Sequence, residues 1–227
     1  MAFPSGAIPG IDVSHYQAMI DWSAVAAAGE AFAFAKASEG VSAPDVYFAD
    51  NWSGISSAGI LRGAYHFFLP DLDPAAQAKF FLARLANANG GSTRLAPGDL
   101  PAALDLEIVN GVAPGNIINS AATWLAAVEQ ATGRKPILYT YIDFWKNKLG
   151  NPSALSGYPL WIAQYSVAAP TVPGGWTDWA LWQFSSSQPV SGVSTGSADV
   201  DAFNGTINDL RELAGYPPSA NSAAKGN

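Results

Sequence analysis

Two hydrophobic periods alternate along the chain. Residues 31–37 read Ala-Phe-Ala-Phe-Ala-Lys-Ala, with large and small side chains at every second position, the signature of a strand. Short runs of this kind recur at residues 7–14, 60–68, 100–108, 135–141, 159–165, 180–184 and 199–203. Between them lie stretches with helical spacing. Residues 21–28 open on Asp21 as an acidic cap and close at Gly29, and residues 47–58 space Phe48, Trp52 and Ile55 before stopping at Gly59. Asp73 followed by Pro74 starts a helix to about residue 85, and residues 116–132 form a long helix ended by Gly133. A last helix runs to about residue 214.

Strand and helix alternate through the first five strands, which predicts a parallel sheet with helices outside. Eight strands closing on themselves make an α/β fold, a single TIM-like (β/α) barrel. The second half is rich in strands and poor in helices, so the barrel is expected to be irregular and flattened. On this reading Phe32 and Phe34 pack outward on helices while the alanines between them face a narrow interior. Residues 1–214 form one domain, and the Pro/Ser/Ala-rich residues 215–227 form a flexible tail.

Composition narrows the function classes. Of 227 residues, 49% are hydrophobic and 13% charged, which describes a chain with a sizeable core. The net charge of −7, with no cluster of Lys and Arg, argues against nucleic acid and anionic membranes as partners. With no cysteine there is no thiolate chemistry. The first residues lack a basic and apolar leader, and no run of about 18 apolar residues exists to span a membrane. Action outside a cell would then need a leader already removed or another route of export, such as release on host lysis. The expected state is a monomer without metal or cofactor.

Residues 100–108 carry the candidate chemistry. Leu104, Leu106 and Ile108 share one face of that strand, and Ala103, Asp105 and Glu107 share the other. Two carboxyls on one face push at least one pKa upward, which keeps a proton available for acid catalysis. Most of the other strands also end on polar or aromatic residues, where a parallel barrel places its chemistry. Asp12 ends the first, Tyr65 and His66 lie in the third, and Tyr139 and Tyr141 in the fifth. Trp161, Gln164 and Tyr165 mark the sixth, Trp182 and Gln183 the seventh, and Asp199 and Asp201 the eighth.

Acids converging with aromatic rings suit a glycosidase. One acid protonates the leaving oxygen, others stabilise positive charge at the sugar carbon, and rings stack on pyranose faces. Strand spacing puts the Asp105 and Glu107 Cα atoms roughly 6.5–7 Å apart, which leaves retention and inversion both open. Two histidines without an HExxH motif make a zinc site a poor alternative, and no G-x-S-x-G elbow supports a serine triad. His66 reads as a buried strand histidine. Lys36 and Glu39 fit either a local ion pair or the wall of the site.

Seven blocks carry a resemblance to a known family. They are GIDVSHYQ at residues 10–17, FAKASEG at 34–40, GAYHF at 63–67, LDLE at 104–107, LWIAQY at 160–165, LWQF at 181–184 and DVDAFNG at 199–205. In this order they resemble glycoside hydrolase family 25, the Chalaropsis-type lysozymes that include phage endolysins. The resemblance implies an N-acetylmuramidase that cuts the β-1,4 bond between N-acetylmuramic acid and N-acetylglucosamine in bacterial peptidoglycan. Glu107 then matches the general acid, and Asp105 the acid that polarises the substrate's own 2-acetamido group. Asp12 matches a supporting acid. Asp199 fits the spacing to Gly205, with Asp201 as the alternative. Tyr65, Tyr139, Trp161, Gln164, Tyr165 and Trp182 are candidate substrate-binding residues. The rival readings are a chitinase-like N-acetylhexosaminidase and a glycan-binding barrel without catalysis.

Overall fold

Phe32 and Phe34 set the cross-section of the molecule, and they point inward. The structure is a computed structural model that describes residues 3–218. Its strands are β1 (Ile8–Val13), β2 (Phe32–Glu39), β3 (Ala43–Pro44), β4 (Leu61–Phe67), β5 (Ala103–Asp105), β6 (Ile137–Tyr141), β7 (Leu160–Ala163), β8 (Leu181–Gln188) and β9 (Ala198–Phe203). The helices are α1 (Trp22–Ala27), α2 (Phe48–Ser57), α3 (Pro74–Ala88), α4 (Pro114–Thr132) and α5 (Ile207–Leu213). The sheet order is β1-β9-β8-β7-β6-β5-β4-β2-β3, and pairing of β1 with β2 closes eight of these strands into a barrel. β3 is a short antiparallel addition to β2.

The expected α/β barrel is therefore present, and its second half is indeed poor in helices. A π-helical turn at Phe144–Lys148 is all that separates β6 from β7 in regular helical structure, and no helix separates β7 from β8. The caps behave as their residue types dictate. The Asp21 carboxylate accepts from the Ser23 and Ala24 amides, Asp73 accepts from Ala76, and Gly133 ends α4 in the left-handed region at φ 79°.

Three expectations are corrected. The barrel is not fully parallel, because β9 runs antiparallel to both β1 and β8. Only residues 189–197 join β8 to β9, and they hold no helix. That is short for a parallel crossover but ample for an antiparallel return. Second, Phe32 and Phe34 lie inside with Leu61, Ile137, Trp161, Leu181 and Phe203, while Ala33, Ala35 and Ala37 join the cluster that includes Phe48, Trp52 and Ile55 of α2. Glycines on the flanking strands make the room. A Cβ on Gly10 would sit 2.5 Å from the Phe32 ring, and one on Gly63 would sit 2.2 Å from that of Phe34. Third, the acidic strand is short. β5 covers only Ala103–Asp105, and Glu107 lies beyond its end.

Two other features bear on earlier readings. His66 is fully buried and stacks on Trp124 at 5.5 Å. Gln77 donates its amide to the Leu69 and Leu72 carbonyls, so its oxygen accepts from His66 Nε2 (3.3 Å), leaving Nδ1 to accept from Ser38 Oγ (2.9 Å). Burial lowers the His66 pKa to about 3, so this is a neutral structural histidine, as its strand position suggested. The first tail residues are packed: the Tyr216 amide donates to the Arg211 carbonyl at 2.9 Å, and Arg211 covers its ring. The tail from residue 219 onward lies outside the described residues.

The glycine–phenylalanine fit generates a stability prediction. Gly63→Ala forces a methyl group into the Phe34 ring and is expected to lower stability by about 3 kcal/mol, the upper end of ordinary overpacking. Gly115→Ala, with nothing within 4 Å of the added carbon, is expected to be neutral or stabilising by up to about 1 kcal/mol. Urea denaturation of the two variants checks both, and equal midpoints would refute the packing argument.

Candidate active site

Asp12 and Asp199 face each other across β1 and β9. In a strand that entered the barrel in parallel, Asp199 would sit at the far end from Asp12. Because β9 runs the other way, its early residues reach the mouth where β1 ends. Two residues on, Asp201 pairs with Gly10 and lies one layer deeper. It is completely buried, and its Oδ1 accepts from Trp161 Nε1 at 2.8 Å.

The other strands bring their inward side chains to the same mouth. Asp12, Tyr65, Asp105, Glu107, Tyr139, Trp161, Tyr165 and Asp199 line a cavity of about 290 Å³, joined by Ser14, Tyr16, Lys36, Phe67, Gln183 and Ser186. This size is near the lower end for a small-molecule site. Gln183 is the connector. Its Nε2 donates to Asp12 Oδ2 at 2.6 Å, while its Oε1 accepts from the hydroxyls of Tyr139 (2.9 Å) and Tyr165 (2.6 Å). Lys36 resolves both of its sequence readings: its Nζ pairs with Glu39 at 2.7 Å and it also lines the cavity.

A second cavity of about 360 Å³ adjoins the first and is mostly apolar. Glu107, Tyr139 and Tyr165 line both, and Tyr141, Ile142, Asp143, Ala163 and Gln164 complete the second. Gln164 accepts the Thr171 amide at 2.6 Å, so its side chain also pins the loop after β7. Trp182 is not brought to either cavity. Inward-facing Gln183 forces its neighbour outward, where Trp182 is buried against Phe184 and donates Nε1 to the Gln164 carbonyl at 2.8 Å.

Burial governs the protonation of the acids. It raises Asp12 to about 6, opposed by the Gln183 hydrogen bond. It raises Asp199 to about 8, with the Asp12 charge adding to the effect. Asp201 is pushed well above the ordinary range by burial and then by Asp12. Asp105 is also pushed well up, by burial and then by Glu107, with Lys36 opposing. Glu107 is raised by burial and lowered by Lys36. Asp12, Asp199 and Asp201 are close enough for their titrations to be coupled, which favours keeping protons among them. One Asp105 oxygen is buried without a protein partner. Among the described residues, no group of three or more His, Asp or Glu is arranged to hold a metal ion.

Sequence reasoning put Gln183 among the polar strand ends and left Lys36 open between an ion pair and the wall of the site, but gave neither a role, and it passed over Ser14 and Tyr16 as site residues. Gln183 had a signal, being a polar residue between Trp182 and Phe184 on a buried strand. Lys36 had one too, as the lone charge in an alternating Ala/Phe run. Ser14 and Tyr16 had none beyond following Asp12.

Comparison with known proteins agrees with this geometry. A sequence model described as "Glycosyl hydrolases family 25" matches residues 11–193, which include Asp12, Asp105 and Glu107 and stop short of Asp199. Lysozyme M1 of Streptomyces globisporus is 37% identical over 215 residues, covering 91% of this chain and 71% of the relative. N,O-diacetylmuramidase of Chalaropsis sp is 33% identical, covering 91% of this chain and 99% of the relative. Among solved structures, the bacterial lysozyme from Streptomyces coelicolor superposes with a TM-score of 0.84 at 36% identity, covering 92% of this chain and 98% of that one. The family GH25 lysozyme from Aspergillus fumigatus gives a TM-score of 0.80 at 32% identity, with 92% and 99% covered. With its barrel, its buried acids and a family match over most of its length, the chain belongs to glycosyl hydrolases family 25 and is a glycoside hydrolase.

Proposed function

We propose that this protein is an N-acetylmuramidase that hydrolyses the β-1,4 bond between N-acetylmuramic acid and N-acetylglucosamine in bacterial peptidoglycan. The observation that carries the reading is the place of Glu107, on the boundary of the two adjoining cavities. A proton donor for a glycosidic oxygen must stand between the two sugars that the oxygen joins. The first cavity, with Asp12, Asp105 and Asp199, suits the ring that becomes positively charged. The second, with Tyr141 and Tyr165, suits the departing sugar. The names of the lysozyme and muramidase relatives point to the same substrate.

In the proposed reaction Glu107 gives its proton to the leaving oxygen as the anomeric bond breaks. Burial favours the protonated form of that carboxyl, and nearby Lys36 opposes the rise. The carbonyl oxygen of the substrate's 2-acetamido group attacks the anomeric carbon, and Asp105 accepts the acetamido N–H. Water, deprotonated by Glu107, then opens the ring so formed, with net retention. Tyr65, Tyr139 and Trp161 pack against the sugar, and Gln183 holds Tyr139, Tyr165 and Asp12 in register. The enzyme acts on the wall outside the cell membrane, and as a monomer.

Digestion of purified peptidoglycan, borohydride reduction and identification of the new reducing end test the reading. Muramitol is expected from wild type. Glucosaminitol would move the cut to the other bond, hydrolysis of chitin oligomers alone would favour the hexosaminidase, and wall binding without cleavage would favour a binding module. Glu107→Gln is expected to reduce turnover by about 10²–10⁴-fold with unchanged melting. Asp105→Asn should lose on the order of 10²–10³-fold in kcat, and a first-formed α-anomer in the wild-type reaction, seen by proton NMR, would rule out the acetamido route.

The carboxyl cluster also predicts a pH dependence of stability. Asp12 and Asp199 bind protons more tightly in the folded than in the unfolded chain, having risen from 3.8 to about 6 and about 8. Their stabilising contribution is thus complete below about pH 4 and is lost as pH rises through 6 and then 8. Melting temperature should fall over that window, and Asp199→Asn should flatten its upper part. A melting temperature in wild type that rises from pH 6 to 8 would contradict the assignment.

A further inference from the structure

Tyr16 stands at the rim of the first cavity with three-quarters of its surface exposed. The 3₁₀ turn that carries it, His15–Gln17, is fastened from both ends. Ser14 Oγ accepts the Tyr16 amide at 3.3 Å, and Gln17 Oε1 accepts the Ser14 amide at 2.9 Å. The wholly buried carboxylate of Asp45 accepts from the His15 amide (2.8 Å) and the Tyr47 amide (3.0 Å), and pairs with His15 Nδ1 at 3.0 Å. Asp45 is itself anchored to β2 through its amide on the Ala37 carbonyl. The His15 ring backs that of Tyr16 at 4.2 Å, tilted by 35°. An exposed aromatic ring held on a rigid turn has its binding geometry set in advance, so little entropy is lost when a flat ligand settles on it.

We propose that Tyr16 is a stacking platform for an additional sugar of the glycan strand, beyond the one in the first cavity and on the side away from the departing sugar. Tyr16 lines the first cavity and not the second, whereas Glu107 lines both, which places the ring toward the end opposite the leaving group. A pyranose offers an apolar face to the ring and hydroxyls to solvent, the match that amphipathic aromatic rings make at wet surfaces. A glycan strand is a polymer, so a substrate that fills both cavities continues past the rim. This inference rests on the muramidase reading and adds a length preference to it: long strands gain from Tyr16 and short fragments do not reach it.

The test uses binding to the Glu107→Gln protein, so that cleavage does not intervene. The probes are a disaccharide and a hexasaccharide of alternating N-acetylglucosamine and N-acetylmuramic acid. Adding Tyr16→Ala is expected to weaken hexasaccharide binding about three- to tenfold relative to the disaccharide, and Tyr16→Phe or Tyr16→Trp to restore it. An unchanged ratio of the two affinities, with hexasaccharide still bound, would overturn the platform and leave the muramidase reading standing. A role for Tyr16 only in covering His15 and Asp45 would lower the melting temperature and weaken both probes alike, which also overturns the proposal. Failure of wild type to bind or cut the hexasaccharide would instead remove the muramidase reading on which it rests.

Discussion

The hydrogen bond from Gln183 Nε2 to Asp12 Oδ2, 2.6 Å long, joins β8 to β1 across the intervening β9. On its other side the same amide accepts two tyrosine hydroxyls, one from β6 and one from beyond β7. A side-chain amide has one acceptor atom and one donor atom, and here each is committed. Rotating the amide would set its donor group against the tyrosine hydroxyls and its oxygen against a carboxylate. That single orientation is therefore coupled to the placement of Asp12, and through it to Asp199 and Asp201.

The carboxyl cluster is costly to bury and tolerable only because its members do not all ionise. An isolated ionised carboxylate in such surroundings would cost about several kcal/mol, so the fold holds protons instead. Around it, the barrel interior is filled by rings. Phe34 lies 4.7 Å from Trp161, and Trp161 lies 5.0 Å from Tyr139. Trp161 thereby belongs to both the core and the site, donating to Asp201 while packing on Phe34. The polar mouth stands directly on the apolar plug.

The fit of Gly10 and Gly63 to Phe32 and Phe34 explains how the barrel interior takes two large rings from one strand. The absence of two side chains lets the neighbouring strands accept a phenyl ring each. The outer face then has room only for alanine, and α2 lays Phe48, Trp52 and Ile55 over it.

The amino-acid sequence by itself determined where most strands and helices lie, close to where the helices begin and end, and which residues within a strand share a face, though it missed β3 and overran β5. These follow from local periodicity and capping chemistry, so Gln183 against Trp182 could be sorted by parity alone. The seven blocks also identified the family and named Asp12, Asp105 and Glu107. Only the tertiary structure decided which face of β2 is the inside, because alternation is symmetric between the two and the deciding glycines lie on other strands. The direction of β9 was likewise invisible locally, yet it is what brings Asp199 to the mouth and sends Asp201 beneath it. Gln183 gained its place through partners far away in the chain, such as Asp12, 171 residues from it. Pairing over that distance is set by barrel closure, which no short window of sequence contains.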